Sequence, residues 1–359
     1  MRQIQSRNKV IKLFVLELFN KLNIENIQYA ILRNYENIPN KPSDTDYFDL
    51  DLLVSSKDLS DYIKIVEKIG ATHDLLVVKK IDREYVKTIR LAYIGSNEEV
   101  YAIQLDSHVS GQNWWGFFYL CENEILKNRS LYKTFFVVSE FHQHLFNWLD
   151  KLFWGSYVKE KYKHNILKVL SEKNEKLIFF LDRVFGKELS FQLNGRIKSG
   201  DLESTLELRS GMIKRLCRYS IFNFPLLTLI SNIKFYYFEL SLHIFPPGLC
   251  CVINESRRSQ VDRYYKACRK VILGDQIILD YDGESVFNWL RFYFCKVFPV
   301  VRKGGLVFIL SSNKARFISN VSILSDTPTT GVLKRILEAN QKIGLMGAAN
   351  IYLGKDLVK

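Results

Sequence analysis

Asp49 and Asp51 stand two residues apart in the stretch Ser43-Asp-Thr-Asp-Tyr-Phe-Asp-Leu-Asp-Leu-Leu-Val54. Side chains alternate along a strand, so at the mouth of a strand over Leu50–Val54 both carboxylates share one face. Leu50 and Leu52 then share the other. Two neighbouring carboxylates repel each other unless a cation sits between them. Hard divalent ions take oxygen ligands, and Mg²⁺ commonly takes one or two carboxylates together with substrate phosphates. Asp106 follows a second strand-like run, Val100-Tyr-Ala-Ile-Gln-Leu105, and supplies a third carboxylate. Three carboxylates on neighbouring strands suit a two-metal phosphoryl-transfer centre. A glycosyltransferase also uses Asp-x-Asp to hold a metal, but there the apolar strand leads into the motif. Here the strand follows it, which favours nucleotidyl transfer. Asp44 and Asp46 are expected in solvated loop.

Around this motif the chain reads as a small α+β unit. Helical apolar spacing over residues 8–22 precedes strand-like runs at Gln28–Arg33 and Leu50–Val54. A capped helix is expected over Ser56–Gly70, ending at the glycine. Strands at Leu75–Lys79, Thr88–Ile94 and Val100–Leu105 follow, the last two joined by a hairpin turn at residues 94–99. From Ser139 to Phe185, and again from Leu202 to Leu242, aromatic stripes alternate with lysine as in an amphipathic bundle. Beyond Phe245-Pro-Pro-Gly248, strand-like Leu249–Ile253 and Gly305–Leu310 alternate with helix-like Gln260–Val271 and Thr330–Lys342. That is a small α/β pattern.

Charge divides the chain in the same places. Residues 1–125 carry 15 basic and 18 acidic side chains, residues 126–245 carry 19 and 11, and residues 246–359 carry 17 and 9. With 359 residues, two or three domains are expected, and the composition sets them at 1–125, 126–245 and 246–359. The net charge of +13 is therefore a property of the rear two-thirds. No long tract of Lys and Arg and no recognised motif supports nucleic-acid binding. The six cysteines are scattered without a Cys-x-x-Cys pair, so free thiols and a cytoplasmic location are expected. No apolar run of spanning length occurs, which leaves peripheral contact as the form any membrane association would take.

Four short motifs occur in order: Tyr29-Ala-Ile-Leu-Arg-Asn-Tyr-Glu-Asn-Ile-Pro39, Asp49-Leu-Asp-Leu-Leu-Val54, Gln104-Leu-Asp-Ser-His108 and Trp114-Trp-Gly116. Together they resemble the bacterial nucleotidyltransferase-like proteins found with surface-polysaccharide genes. Those belong to the DNA polymerase beta-type nucleotidyltransferase superfamily. The resemblance spans roughly residues 10–165. It implies that Asp49 and Asp51 bind Mg²⁺, that Asp106 is a ligand or base, and that Arg33 sits near the substrate. It also implies an NTP and a small acceptor as partners, two Mg²⁺ ions, and a place in polysaccharide biosynthesis. A Gly-Ser pair ahead of the aspartates is missing, and Ser43 is the hydroxyl in its neighbourhood. Helical domains in such folds often cross the cleft, which makes Lys151 and Lys161 possible triphosphate contacts. The bland alternative is a solvated helix face. His108 and the Trp114–Trp115 pair are expected to be structural.

The segment Pro246-Pro-Gly-Leu-Cys-Cys-Val-Ile-Asn-Glu-Ser-Arg-Arg-Ser-Gln-Val261 resembles the start of a thymidylate kinase-like domain. A phosphate loop needs glycines, a lysine and a Ser/Thr, and Asn254–Val261 contains no glycine and no Gly-Lys-Ser/Thr. The expectation is a degenerate P-loop kinase-like domain without ATP hydrolysis. Two functions follow. One is Mg²⁺-dependent transfer of a nucleoside monophosphate from an NTP to a sugar phosphate or glycan precursor. The other is a catalytically inactive relative acting as a binding or scaffold module.

Overall fold

In the computed structural model, the described residues are 2–36, 38–39, 47–83, 85–95, 100–244, 248–254, 258–269, 272, 275–281, 286–303, 305–311, 321–323, 334 and 336–338. The apolar spacing near the N-terminus produces helix α1 (Arg2–Ile24), whose Phe14, Val15, Leu18, Phe19 and Leu22 are buried. They pack on one face of a mixed sheet together with helix α2 (Leu59–Thr72). Helix α2 runs two residues past Gly70, where it was expected to stop. Gly70 is a packing position instead: a Cβ there would touch Leu91 of the sheet at 3.5 Å.

The sheet uses β1 (Tyr29–Ile31), β2 (Tyr47–Val54), β3 (Leu76–Arg83), β4 (Val86–Ile94) and β5 (Val100–His108). A separate hairpin, β6 (Gly111–Trp114) and β7 (Phe117–Cys121), and helix α3 (Glu122–Lys127) come next. Strands β8 (Ser130–Tyr132) and β9 (Phe135–Val137) then return to the sheet, giving the order β3-β4-β5-β2-β1-β9-β8. The sheet thus extends past residue 125, where the charge balance changes. Strand β2 starts at Tyr47, not Leu50, because β5 partners it from Ala102 onward. Asp49 and Asp51 consequently lie inside a strand rather than at its mouth. Strand β5 likewise continues through Asp106 to His108.

Six helices follow: α4 (Glu140–Phe153), α5 (Glu160–Glu172), α6 (Asn174–Phe185), α7 (Lys187–Lys198), α8 (Arg209–Asn223) and α9 (Pro225–Ile244). Helix α7 fills part of the gap left by the periodicity. Their core holds Trp148, Leu149, Leu181, Leu193 and Leu216 and takes in Ala30, Leu32 and Leu53 from the sheet face opposite α1. A second, parallel sheet has the order β11-β12-β10-β13. Its strands are β10 (Leu249–Asn254), β11 (Gln276–Asp280), β12 (Leu306–Ser311) and β13 (Val321–Ile323), with helix α10 (Arg258–Arg269) after the first. Leu249, Cys251, Tyr264 and Phe308 pack against Val78, Ala92, Val100 and Ala102 of the first sheet. Most of the helix expected at 330–342 lies outside the described residues. The protein is of mixed α/β composition, in keeping with the α+β expectation. All six cysteines are free thiols. Among the described residues no helix is long and apolar enough to cross a membrane.

One buried side chain makes stability depend on pH. His142, in the first turn of α4 beside its Ser139 cap, is 6% exposed. Burial, opposed by Glu124 and aided by Lys176 and Arg183, pushes its pKa down to about 4. The unfolded chain therefore binds a proton that the folded chain refuses between pH 6.5 and about 4. Stability should fall as pH drops through that window and level off below it, by on the order of 3 kcal/mol from this group. His142→Gln should flatten that part of a melting-temperature profile; an unchanged slope would refute the assignment.

Candidate active site

The pairing of β2, β5 and β4 lines up three rows of side chains on the face opposite α1. Asp51 pairs with Asp106, which pairs with Thr88. One row earlier, Asp49 pairs with Gln104 and Gln104 with Arg90. One row later, Leu53 pairs with His108 and His108 with Val86. Directly paired residues point to the same face, so the carboxylates and His108 share one floor. The sequence spacing put Asp49 beside Asp51; the register brings Asp106 opposite Asp51.

A guanidinium stands against one of these carboxylates, Asp51. The Leu32 N–H donates to the Asp51 carbonyl at 2.9 Å, which sets Arg33 beside the Asp51 side chain. Arg33 Nε donates to Asp51 Oδ2 at 2.6 Å and its Nη2 donates to Oδ1 at 3.2 Å. A two-pronged charge-assisted bond of this kind is directional as well as strong. Arg33 Nη1 donates to Asp150 Oδ2 of α4 at 3.4 Å. Burial works against the Arg33 charge, but hydrogen bonding to Asp51 and the charges of Asp51, Asp150 and Asp49 raise its pKa. Asp106 is held from two sides: Thr88 Oγ1 donates at 2.5 Å and Gln104 Nε2 donates at 2.8 Å. Burial lowers the His108 pKa despite the nearby Asp51 and Asp106 charges, which favours the uncharged imidazole.

A cleft of about 400 Å³ opens onto Asp51 and His108 of this floor, and Asp49 and Asp106 are not among its lining residues. Arg33, Asp51, His108 and Asp150 are among its lining residues, together with Trp114, Trp115, Trp154 and Phe235. Trp115 packs tilted against Trp154 and edge-on to Phe235, with ring centroids 5.6 and 4.9 Å away. The structural expectation for the tryptophan pair holds for Trp114, which packs on the helical core. Trp115 departs from it, being 38% exposed at the cleft mouth. His108 lines the cleft wall. Lys151 stands beside the lining, its Nζ 3.6 Å from Asp150 Oδ2. Lys161 lies on α5 with its side chain outside the described set. Ser43, Asp44 and Asp46 also lie outside the described residues.

Sequence reasoning missed Asp150, Thr88, Gln104, Trp154 and Phe235. Asp150 carried a usable signal. On α4 it shares a stripe with Phe146 and Phe153, and a carboxylate among apolar residues on one helix face marks a polar partner across the interface.

The all-oxygen set of Asp49, Asp51 and Asp106 has the chemistry of a hard-cation site, with Arg33 supplying positive charge at Asp51. Among the described residues no group of three or more His, Cys, Asp or Glu is arranged to hold a metal ion. Among solved structures the chain is similar to JHP933 from Helicobacter pylori, at 9% identity and a TM-score of 0.29, over 66% of this chain and 97% of that one. No family model and no curated protein matches the chain.

Proposed function

We propose that this protein is a nucleotidyltransferase of the DNA polymerase beta type, with a degenerate kinase-like domain behind it. It would move a nucleoside monophosphate from an NTP to a small acceptor, a sugar phosphate or glycan precursor. The observation that carries this reading is the pairing of Asp51 with Asp106, Asp49 lying on the same sheet face, where Asp51 opens into an aromatic-lined cleft. Asp49, Asp51 and Asp106 are the residues that would hold Mg²⁺, which when bound neutralises phosphate charge in an in-line displacement. An acceptor oxygen attacks the α-phosphorus and its proton passes to Asp106. The bond from the α-phosphorus to the bridging oxygen breaks, and pyrophosphate leaves. Arg33 turns from Asp51 toward the triphosphate, where its planar donors match phosphate oxygens. Lys151 adds a cation at the rim, and Ser43 and Lys161 are further phosphate contacts on this reading. Neutral His108 offers a hydrogen bond without competing for charge. Trp115 and Trp154 present aromatic surface to a base.

Thermal melting with each of the four NTPs plus Mg²⁺ tests this directly. Saturating nucleotide at a hundredfold excess over Kd stabilises by about 2.7 kcal/mol. That shift should appear in the wild type and vanish in Asp106→Asn. No shift with any NTP, together with no pyrophosphate release, would remove the proposal.

One observation favours a non-catalytic binding module as the second reading. Asp51 and Asp106 already find partners in Arg33, Thr88 and Gln104, so the carboxylate floor can persist as a purely structural network.

A further inference from the structure

Helix α9 is built inside out. Its inward face carries small and polar residues beside Phe235: Thr228 is 4% exposed and Ser231 fully buried, and Asn232 is half-buried. Thr228 Oγ1 and Ser220 Oγ of α8 lie 2.7 Å apart, and Ser220 Oγ also accepts from the Phe118 N–H at 2.8 Å. The helix sits so close to the β6–β7 hairpin that a Cβ on Gly116 would come 3.2 Å from that of Ser231. Its outward residues are apolar. Leu226, Leu229, Ile233, Tyr236, Tyr237 and Leu240 are each more than half exposed, as are Ile221 and Phe222 at the end of α8. These positions recur every three or four residues and form one continuous stripe. Scattered exposed apolar residues are ordinary, but a contiguous patch marks a surface that meets something apolar.

The charge beside the stripe selects its occupant. Helix α8 carries Arg209, Lys214, Arg215 and Arg218 and no carboxylate. Lys214, Arg215 and Arg218 are exposed, as is Lys234 on α9. Lys214 and Arg218 precede Phe222 at four-residue steps, so cations and apolar side chains share one face. A purely apolar partner face would leave these cations without anionic counterparts. An anionic bilayer instead offers headgroup phosphates to α8 and acyl chains to α9. Tyr236, Tyr237 and Phe222 are the aromatic kind of residue that settles at that boundary.

We propose that the α8–α9 hairpin is a membrane-docking surface that lies in the interface of an anionic lipid bilayer. It stands independently of the nucleotidyl-transfer reading. Phe235, on the inward face of α9 with Ser231 and Asn232, lines the cleft, so the docked helix also forms part of the cleft wall.

Vesicle flotation of the full chain tests the proposal, using phosphatidylcholine alone and phosphatidylcholine mixed equally with phosphatidylglycerol. The wild type should float with the anionic vesicles and much less with the neutral ones. Lys214→Gln with Arg218→Gln should weaken partitioning more than about tenfold. Leu229→Gln, Ile233→Gln and Tyr237→Gln together should reduce flotation to the level without vesicles. Circular dichroism checks that these exposed-site variants stay folded, and the wild-type comparison of the two lipids decides even if they do not. The proposal is overturned if the wild type does not float, if it floats equally with neutral lipid, or if the folded apolar variant still floats. A wild-type dimer in light scattering that the apolar variant converts to monomer, without flotation of either, would assign the face to a second copy.

Discussion

On the proposed nucleotidyl-transfer reading, replacing Asp51 with asparagine should lower pyrophosphate release by on the order of a thousandfold, since a bound Mg²⁺ would contribute several kcal/mol at the transition state and each 1.36 kcal/mol is a factor of ten. The fold should survive. Asp51 is buried, but its partner Arg33 is one-third exposed and keeps Asp150 as a second acceptor. Losing one charge of this pair should therefore cost about 1–3 kcal/mol, less than breaking a fully buried bridge. The two readings of the site separate here. A catalytic Asp51 loses turnover far out of proportion to stability, whereas a structural one shows only the stability loss and leaves biological function intact. Measuring both on the same variant decides between them, and Arg33→Lys adds a second check. Lysine keeps the charge but loses the two-pronged geometry, so it should impair phosphate handling while retaining most of the pairing with Asp51.

Trp148→Ala should produce the largest stability change, about 3–5 kcal/mol. Trp148 is 1% exposed in the core that joins the helices to the sheet, and its Nε1 donates to the buried Thr205 Oγ1 at 3.4 Å. Removing the indole leaves a void among Leu145, Leu149 and their neighbours and strands the Thr205 hydroxyl on that side. Melting of the helical part should drop by on the order of 10 °C. Trp148→Phe keeps most of the volume and should recover the greater part of that loss. If both variants melt alike, the hydrogen bond and not the packing holds this junction.

How much of this could be read from sequence depended on length and partnership. The α1 helix and the runs that became β2, β4 and β5 were legible because each is long enough to display a period. Asp49 and Asp51 were legible because a two-residue spacing has only one meaning in a strand. Strands β8 and β9 were not, since each has three residues and owes its conformation to pairing, not to propensity. The start of β2 was misplaced for a related reason: Tyr47 and Phe48 join the strand because β5 is there to receive them. Asp106 was recognised as a carboxylate near a strand end, but its place opposite Asp51 depends on a parallel register that no local pattern encodes. The engagement of Arg33 with Asp51 and Asp150 is tertiary throughout, as is the aromatic mouth assembled from Trp115, Trp154 and Phe235. For α9 the periodicity was visible, yet which side would face the protein was not. The usual rule that apolar residues go inward gives the wrong answer there.

The short parallel contact between β1 and β9 has a consequence for how the cleft is dimensioned. Ile31 pairs with Val137, and the Val138 N–H donates to the Ile31 carbonyl at 3.0 Å. Two residues beyond Ile31 the chain presents Arg33. One residue beyond Val138, Ser139 caps the helix that carries Asp150. The floor of the cleft and its opposite wall are therefore both measured from one rung of a ladder. Insertions after α4 leave that measure untouched. A slip of one residue between β1 and β9 would instead carry Asp150 out of reach of Arg33, and no change elsewhere in the cleft would restore it.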